Sequence, residues 1–405
     1  MNDEVSKSLT ITSPDDIGAP LPPWTYTNPE LFELEYDAFF LRRWQFVGHV
    51  SQVAEVGDFM TGDIGRDSVI VIRGKDEKLR AFLNVCRHRA SRILEKSGNC
   101  RGVIKCPYHG WTYQLDGSLL GVPQEENFPE FDRSQYGLHK IELDVFYGFV
   151  FVRVRGDGPT VAEEFAHTAH YFEKYDVENY VPCMQESRQI WNVNWKVAWD
   201  NYLENYHIPV GHPGLHRLVT VVDEWDELAS GVSYGVFEIR EKRSSVAEER
   251  EYQALFHHSF ARIPEEVHNR WVQYGVTGYL GIDLYPELVD IFQLIPLGPD
   301  KTEVRAAYYG HKDPTVEESR LRELNLLIND PVNDEDKTLC ERVQKGLQTT
   351  GYRPGPLSIE ESSVFFFHEM VRRLVPVTQS DQAPPMGQVA AENERIRNQE
   401  LMDPG

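Results

Sequence analysis

The chain has 405 residues, of which 41% are hydrophobic and 12% aromatic, and it carries a formal net charge of −23. A chain of this length and composition can bury a large core and is expected to divide into two domains, which argues against a small electron-transfer module. The negative charge disfavours binding to nucleic acid or to an anionic membrane surface, because like charges would meet.

Cysteine content and the N-terminal residues set the expected compartment. Five cysteines in so long a chain argue against a disulfide scaffold. The first 23 residues lack the basic and apolar segments of a secretion signal, and no apolar run approaches membrane-spanning length. We therefore expect a cytoplasmic protein.

The first half of the chain contains the signals of a β-rich domain. Residues 1–27 are rich in Pro, Asp and Ser and are expected to form an arm, and the apolar spacing of Leu31 to Trp44 predicts a helix after it. From Phe46 to Val154, short β-branched and aromatic runs such as residues 68–72 and 148–152 alternate with turns. The Gly156-Asp157-Gly158-Pro159 stretch ends these strands. The expected division is an N-terminal arm and helix over 1–40, a β-rich domain over 41–157 and a second domain over 158–405.

Two short clusters in the β-rich block each combine one cysteine with one histidine. They are Cys86-Arg87-His88 and Cys106-Pro107-Tyr108-His109, and the 17 residues between them (89–105) are enough for a hairpin-like excursion that brings the clusters together. In a Rieske [2Fe–2S] cluster, two cysteines hold one iron and two histidines hold the other. The four residues Cys86, His88, Cys106 and His109 are therefore predicted to bind such a cluster. The remaining cysteines, Cys100, Cys183 and Cys340, are expected to be ordinary thiols.

A structural zinc site is the alternative for these four residues. Zinc sites use the same ligand types and require no redox function, but their patterns usually place both cysteines in one cluster and both histidines in the other. Here each cluster is Cys followed by His. The iron–sulfur interpretation is favoured for that reason.

The second half of the chain contains a further group of carboxylates and histidines. Trp and Val alternate with other residues over 190–199 and predict a strand. After it, Asp200, Glu204 and His207 fall at i, i+4 and i+7, which would place them on one face of a helix.

Two histidines close in sequence suggest a metal site. Pro209 disfavours helical geometry at Ile208, so the chain is expected to turn there and bring His212 back towards His207. Two histidines and one carboxylate form the facial triad of non-haem Fe(II) oxygenases, which leaves open positions on the metal. A third ligand is therefore required.

The segment 332–337 is the best place for that ligand, because it precedes an amphipathic helix running to about Gly346. At about 100° per residue, Asp334 points away from the apolar stripe of this helix and Asp336 lies at its centre. The stripe consists of Leu339, Cys340, Val343 and Leu347. A carboxylate in an apolar stripe is costly unless it is paired or bound to metal, whereas Asn333 or Asp334 fits a helix cap. Asp336 is the predicted ligand.

Over nearly its whole length the sequence resembles the catalytic α subunit of Rieske non-haem iron oxygenases. This group includes aromatic ring-hydroxylating dioxygenases, aromatic O-demethylases and quaternary-ammonium monooxygenases. The resemblance rests on Cys86 to His88, Cys106 to Tyr113, Asn194-Trp195-Lys196, Glu204 to His207, His212, Asp336 to Glu341 and Gln344-Lys345-Gly346. It implies an α+β fold, with an N-terminal β-rich Rieske [2Fe–2S] domain followed by a C-terminal antiparallel sheet that grips a long helix, as in START and Bet v1 proteins.

The resemblance also implies cofactors and partners. Electrons from NAD(P)H would pass through a reductase, sometimes with a ferredoxin, to the [2Fe–2S] cluster and on to a mononuclear non-haem Fe(II) where O2 reacts. The α subunits would form a trimer, with or without β subunits. Glu204 matches the acidic residue that in this family joins the first iron-binding histidine, here His207, to a Rieske histidine across the subunit boundary. The implied catalytic set is Glu204, His207, His212 and Asp336.

Three functions follow from these sites. The first expectation is a terminal oxygenase that hydroxylates an aromatic ring, by mono- or dioxygenation, in aromatic hydrocarbon catabolism. The alternative is a monooxygenase or demethylase for a small quaternary ammonium or methyl ether compound such as carnitine or betaine. Glu204 replaces the Asp of many ring-hydroxylating members, and Trp225, Tyr279 and Phe292 are candidates for a cation–π cage. A Rieske electron carrier without oxygenase activity is a third class, but it leaves the second group of residues without a role.

Overall fold

The computed structural model describes residues 13, 16–227, 230–276 and 278–402. Contacts divide the chain into two compact units. One unit is Phe40–Glu163, and the other combines the residues up to Phe39 with those from Glu164 onward. Much of the predicted arm, residues 1–12, 14 and 15, lies outside the described residues.

Strands occupy both units. In chain order they are β1 Gln45–His49, β2 Asp58–Ile64, β3 Asp67–Arg73, β4 Leu79–Leu83, β5 Ser97–Asn99, β6 Val103–Lys105, β7 Thr112–Gln114, β8 Leu119–Gly121, β9 Lys140–Phe146, β10 Phe149–Arg153, β11 Tyr180–Pro182, β12 Ser187–Trp191, β13 Val219–Glu227, β14 Val232–Ile239, β15 Arg270–Val276, β16 Leu280–Leu284, β17 Val289–Gly298 and β18 Lys301–His311. Strands β3 and β10 fall on the runs that the sequence predicts at 68–72 and 148–152.

The α-helices are α1 Pro29–Glu35, α2 Val161–Glu164, α3 His170–Lys174, α4 Trp195–Leu203, α5 Ile208–Gly211, α6 Pro213–Leu218, α7 Ala247–Leu255, α8 Val316–Leu347, α9 Ser362–Leu374 and α10 Val389–Met402. The helix predicted after the arm is present, since α1 begins behind the capping side chain of Asn28 and continues as a π-helix over Tyr36–Leu41. Within the described ranges, none of the helices combines the length and the apolar character that crossing a membrane requires.

The Phe40–Glu163 unit contains two antiparallel sheets, of strand order β1-β10-β9-β4-β3-β2-β5 and β6-β7-β8. A shared apolar core joins them, with Ile70 and Phe82 from the larger sheet and Ile104 and Tyr113 from the smaller. The hairpin-like excursion predicted over 89–105 is wrong, because the two strands of this segment do not pair with each other. Strand β5 pairs with β2 and strand β6 with β7, so the segment connects the two sheets.

The other unit is built on an antiparallel sheet of order β11-β18-β17-β16-β15-β14-β13, with β12 also pairing with β18. The long helix α8 packs on this sheet through Leu321, Leu324 and Ile328, which share a buried cluster with Trp271 of β15 and Tyr308 of β18. The predicted fold class, a β-rich domain followed by an antiparallel sheet with a long helix, is confirmed.

Helix α8 begins much earlier than the sequence predicts. Thr315 caps it, because its hydroxyl accepts the N–H of Glu318 and the Glu318 carboxylate accepts the N–H of Thr315. Pro331 lies inside the helix, although a proline removes one backbone hydrogen bond there. Asn333 and Asp334 are therefore not caps.

The apolar stripe predicted for α8 is only partly buried. Cys340 is enclosed, but the Val343 side chain is 52% exposed. Asp336, at the predicted centre of the stripe, is half-buried.

The strand predicted over 190–199 is correct only at its start. Strand β12 ends at Trp191, and helix α4 begins at Trp195 behind Asn194, whose side chain accepts the N–H of Lys196. The first five residues of α4 are all buried. Apolar residues are therefore not restricted to one face, and the spacing of Trp and Val does not indicate a helix. Helix α4 ends at Leu203 and Glu204 is extended, so the predicted helical face shared by Asp200, Glu204 and His207 is wrong.

A buried ion pair attaches helix α1 to helix α4. The Lys196 Nζ atom lies 2.7 Å from Glu35 Oε1, and both side chains are fully buried. Lys196 also donates to the Thr25 carbonyl and to Asn194 Oδ1, and the Trp195 indole donates to Glu35. Burial raises the pKa of Glu35 and lowers that of Lys196, and the attraction and hydrogen bond between the two side chains oppose both shifts.

Candidate metal centres and the adjoining cavity

The two Cys–His loops have the same backbone turn. The N–H of Ala90 donates to the Cys86 carbonyl at 3.1 Å, and the N–H of Gly110 donates to the Cys106 carbonyl at 3.2 Å. Both donors are the fourth residue after the cysteine, with φ of 53° for Ala90 and 73° for Gly110. The loops are therefore equivalent tips, each presenting one thiol and one imidazole.

These tips form a donor set that fits a [2Fe–2S] cluster. The side chains of Cys86 and Cys106 are buried, and the rings of His88 and His109 lie 4.6 Å apart. Burial raises the pKa of the Cys86 thiol, which disfavours a thiolate without a cation. Within the part of the chain that the structure describes, the buried Nδ1 atom of His88 has no hydrogen-bond partner, a costly state that a metal ion would relieve. The predicted residues thus meet with two thiols and two imidazoles available.

Two aromatic residues support this donor set. The Tyr113 hydroxyl lies 3.3 Å from the Cys86 Sγ and accepts the N–H of Arg87. The Trp111 ring stacks on His88 with centroids 5.0 Å apart and an interplanar angle of 2°. Hydrogen bonds to cluster sulfur atoms and the surrounding packing are the means by which proteins set cluster potentials.

The second predicted group also comes together. The ligand atoms of His207, His212 and Asp336 all lie within 4.8 Å of one another. The two histidine Nε2 atoms are 3.0 Å apart, and Asp336 Oδ1 lies 2.8 Å from Nε2 of His212 and 3.5 Å from Nε2 of His207. Two imidazoles and one carboxylate directed at one point form the donor set of a non-haem iron site.

The short helix α5 brings the two histidines together. His207 precedes α5 and His212 follows it, and the N–H groups of Gly211 and His212 donate back to the carbonyls of His207 and Ile208. The predicted approach of the histidines is confirmed, but its expected cause is wrong. Ile208 is helical, because Pro209 occupies the first turn, where a helix needs no N–H donor.

Each imidazole has a carboxylate at its other nitrogen. Glu204 Oε1 lies 2.6 Å from Nδ1 of His207, and its Oε2 accepts the His207 N–H. Glu335 Oε2 lies 2.8 Å from Nδ1 of His212. A carboxylate at Nδ1 holds the proton there and directs the Nε2 lone pair towards a metal.

The charges of this group favour a bound cation. Burial lowers the pKa of His207, but hydrogen bonds to Asp336 and Glu204 outweigh it and raise the pKa to about 9. Burial also lowers the pKa of His212, but hydrogen bonds to Asp336 and Glu335 outweigh it, so this pKa is raised as well. Burial raises the pKa of Asp336, but its hydrogen bonds to both histidines bring that pKa below its usual value. A divalent metal would replace the protons held here.

A cavity of about 110 Å³ adjoins Asp336. Its aromatic lining consists of Tyr202, Phe237, Trp271, Tyr285 and Phe292. The Tyr202 ring stacks on Phe292 at 5.1 Å, and Trp271 meets Tyr285 edge-on at 4.9 Å. Two acidic residues, Asp283 of β16 and Asp290 of β17, complete one wall.

The aromatic residues named from the sequence fall in different places. Phe292 lines the cavity, whereas Tyr279 is fully buried and lies outside its lining. The side chain of Trp225 lies outside the described residues.

Four polar residues of the site were missed from the sequence: Asn201, Asp283, Asp290 and Glu335. Asn201 Nδ2 donates to Asp336 Oδ1 at 3.0 Å. The two aspartates had a sequence signal, because each has apolar residues on both sides of it in its strand. Glu335 is adjacent to the predicted ligand. It was missed because the prediction considered only residues on one face of the helix.

Comparisons with known proteins cover both units. Residues 43–132 match the Rieske [2Fe-2S] domain, and residues 165–377 match the family described as ring hydroxylating alpha subunit (catalytic domain). The glycine betaine monooxygenase oxygenase subunit of Pseudomonas aeruginosa is 30% identical over 377 residues, covering 84% of each chain. The chloroplastic choline monooxygenase of Amaranthus tricolor is 30% identical over 86% of this chain and 76% of its own. A quaternary ammonium Rieske monooxygenase in complex with L-carnitine superimposes with a TM-score of 0.72 at 25% identity, covering 91% of this chain and 97% of its own.

Proposed function

Because this chain belongs to the family of ring-hydroxylating α subunits with a Rieske [2Fe–2S] domain, we propose that it monooxygenates a small quaternary ammonium compound. Membership makes it an oxidoreductase, the terminal component that takes electrons from a reductase partner and uses O2. Its cofactors are a Rieske [2Fe–2S] cluster and a mononuclear non-haem iron. An electron carrier without oxygenase activity does not account for a catalytic domain over residues 165–377.

The residues proposed to hold the [2Fe–2S] cluster are Cys86, His88, Cys106 and His109, and those proposed to hold the iron are His207, His212 and Asp336. When bound, the cluster supplies single electrons and the iron supplies O2 activation. The protein orients these ligands. Glu204 and Glu335 hold the two imidazoles through Nδ1, and Asn201 holds the Asp336 carboxylate.

The proposed assembly is a homotrimer in the cytoplasm. In it, Glu204 connects His207 to a Rieske histidine of the neighbouring subunit, with the proposed Rieske domain at 41–157 and the catalytic domain at 158–405. The break between compact units at Phe40 and Glu163 supports these boundaries. The 2.6 Å contact of Glu204 with His207 supports the part of this connection that lies within one subunit.

The aromatic lining of the cavity beside Asp336 is the observation that carries the proposal. The face of an aromatic ring attracts a quaternary ammonium group, and several rings around one small space are typical of sites for such cations. The rings of Phe292, Trp271 and Tyr285 border a space suited to a small ligand. The named substrates of the relatives carry trimethylammonium groups as well.

Hydroxylation of an aromatic ring, the first expectation from the sequence, uses the same metal centres. An aromatic hydrocarbon would also stack on these rings, but it has no charge to offer the two carboxylates in the wall, Asp283 and Asp290. The cavity therefore favours the quaternary ammonium alternative.

Oxygen uptake and product formation, measured together, test the proposal. The iron-loaded protein with a reductase and NADH is expected to oxidise a trimethylammonium compound with one product per O2 consumed. The variant His207→Ala is expected to retain the red [2Fe–2S] spectrum and to lose this oxidation. Formation of an aromatic diol from a ring substrate, with no oxidation of any ammonium compound, would overturn the proposal.

A further inference from the structure

We infer that the substrate is a net cation without a carboxylate of its own, and that Asp283 and Asp290 supply the negative charge that binds it. This inference rests on the proposed function and narrows it. Among quaternary ammonium compounds it selects cations such as choline over zwitterions such as glycine betaine and carnitine.

The two carboxylates meet by strand pairing. Asp283 and Asp290 are direct partners in the register of the antiparallel strands β16 and β17, and both line the cavity beside Asp336. Like charges at directly opposed positions of a sheet destabilise it. The neighbouring residues of these strands are apolar and buried, and Asp290 is buried itself, so repulsion between the two charges is screened less than at an exposed surface.

The hydrogen bonds described for the pair leave a buried oxygen atom of Asp290 without a partner. The Tyr202 hydroxyl donates to Asp283 Oδ1 at 2.8 Å. The Asp290 side chain is only 7% exposed, and its buried Oδ1 atom has no hydrogen-bond partner among the described residues. A buried carboxylate without a partner is costly, and the cost is recovered when a cation arrives.

Apart from the proposed iron beside Asp336, the described lining of the cavity supplies no cationic side chain. Of the described residues that line it, none is Lys, Arg or His. Burial raises the pKa of Asp283 to about 7. The pKa of Asp290 is raised well above its usual range by burial and then by the carboxylates of Asp283 and Asp330. A bound cation stabilises the ionised form of both groups, which the empty cavity disfavours.

A zwitterionic substrate fits this charge pattern poorly. Its carboxylate would enter a space that already contains the two acids Asp283 and Asp290. The amide side chains of the lining, such as Gln273 and Asn329, can hydrogen-bond a hydroxyl group but carry no charge to offset a further carboxylate. Arg240 lines a neighbouring cavity that shares only Phe237 with this one, and its Nε donates to the Val219 carbonyl.

Choline and glycine betaine form a matched pair of probes, because they share a trimethylammonium group and differ in a hydroxymethyl group or a carboxylate. Binding to the iron-loaded protein is measured by calorimetry, and oxidation by coupled oxygen uptake. Choline is expected to bind at least about tenfold more tightly. Equal or tighter binding of glycine betaine overturns the inference and leaves the proposed function intact. If neither compound binds or is oxidised, the proposed function fails as well.

The variant Asp290→Asn tests the residue assignment, since it removes charge and keeps shape. It is expected to weaken choline binding about tenfold and to leave glycine betaine binding no weaker. The control Asp300→Asn removes an exposed acid outside the cavity lining and is expected to change neither affinity by more than about twofold. Equal weakening of both ligands by Asp290→Asn overturns the assignment. If Asp290→Asn does not fold, Asp283→Asn is measured by the same criterion.

Discussion

Glu335 Oε2 lies 2.8 Å from Nδ1 of His212, although Glu335 is adjacent in sequence to Asp336, which contacts Nε2 of the same ring at 2.8 Å. Consecutive residues of helix α8 thus approach the two nitrogen atoms of one imidazole. The His212 side chain is almost fully buried between them. Helix α8 therefore fixes both the position of this histidine and the nitrogen on which it carries its proton.

Removing the Glu335 carboxylate is expected to weaken iron binding. The variant Glu335→Ala leaves His212 free to rotate or to change tautomer, and loss of such a partner typically costs about 10- to 100-fold in metal affinity. Titration with a chelator, followed by iron analysis, measures the change. The neighbouring variant Asp334→Ala, whose carboxylate contacts only Gln189 among the hydrogen bonds described, serves as the control. Equal iron retention by the two variants would contradict this role for Glu335.

Choline binding is expected to depend on pH through the cavity acids. Burial raises the pKa of Asp283 to about 7, and the titratable groups around it are Asp290, Asp336, Tyr202 and Tyr285. A cation binds the ionised carboxylate, so below about pH 7 it must displace a proton. Below that value the affinity should fall by up to about tenfold per pH unit through Asp283, and the raised pKa of Asp290 extends the dependence to higher pH.

Calorimetry in buffers of different ionisation enthalpy measures both the affinity and the protons released on binding. Asp283→Asn is expected to flatten the dependence near neutral pH. An affinity that is independent of pH in the wild-type protein would show that these carboxylates are already ionised in the empty cavity.

A single methyl group at Gly281 is expected to distort the cavity lining at Tyr202. A Cβ atom there would overlap the ring and hydroxyl of Tyr202, which is stacked between Trp199 and Phe292 at 5.0 and 5.1 Å and cannot swing aside. Gly281→Ala should weaken choline binding and lower stability by about 1–3 kcal/mol. In Gly298→Ala, the added Cβ meets no atom within 4 Å. Binding and thermal melting of this control should remain close to wild type.

The buried pair Glu35 and Lys196 is expected to be a major determinant of stability. Lys196→Met leaves the Glu35 charge buried without its partner, which typically costs about 3–5 kcal/mol. The double variant Glu35→Gln with Lys196→Met removes both charges and should melt at a higher temperature than the single variant. Thermal denaturation followed by circular dichroism ranks the three proteins. A double variant that melts below Lys196→Met would show that the hydrogen bonds, rather than the unpaired charge, dominate.

The sequence predicted the local parts of the site best. The four Cys and His residues of the first centre lie in two short loops, so their spacing alone indicates that they meet. Asp336 was selected by the angle between residues on a helix, and this angle does not depend on where the helix begins. The prediction therefore placed Asp336 beside the histidines although the start of α8 was wrong.

Longer-range features could not be predicted in this way. Asp283 and Asp290 meet through the register of β16 and β17, which the apolar pattern of the strands does not determine residue by residue. The alternating Trp residues of 190–199 were misassigned because a helix that is buried on most sides loses the periodicity that distinguishes it from a strand. Glu335 was missed because the prediction sought a single carboxylate on the inward face of the helix, and Glu335 lies on a different face.

The hairpin of β16 and β17 has an evolutionary consequence. It carries both cavity acids within residues 283–290, whereas the proposed iron ligands come from the ends of α5 and from α8. Substitutions within residues 283–290 can therefore change the net charge of the substrate that the cavity binds, without altering a metal ligand. Exchange of this stretch between relatives that oxidise cations and relatives that oxidise zwitterions offers a short mutational route between the two specificities.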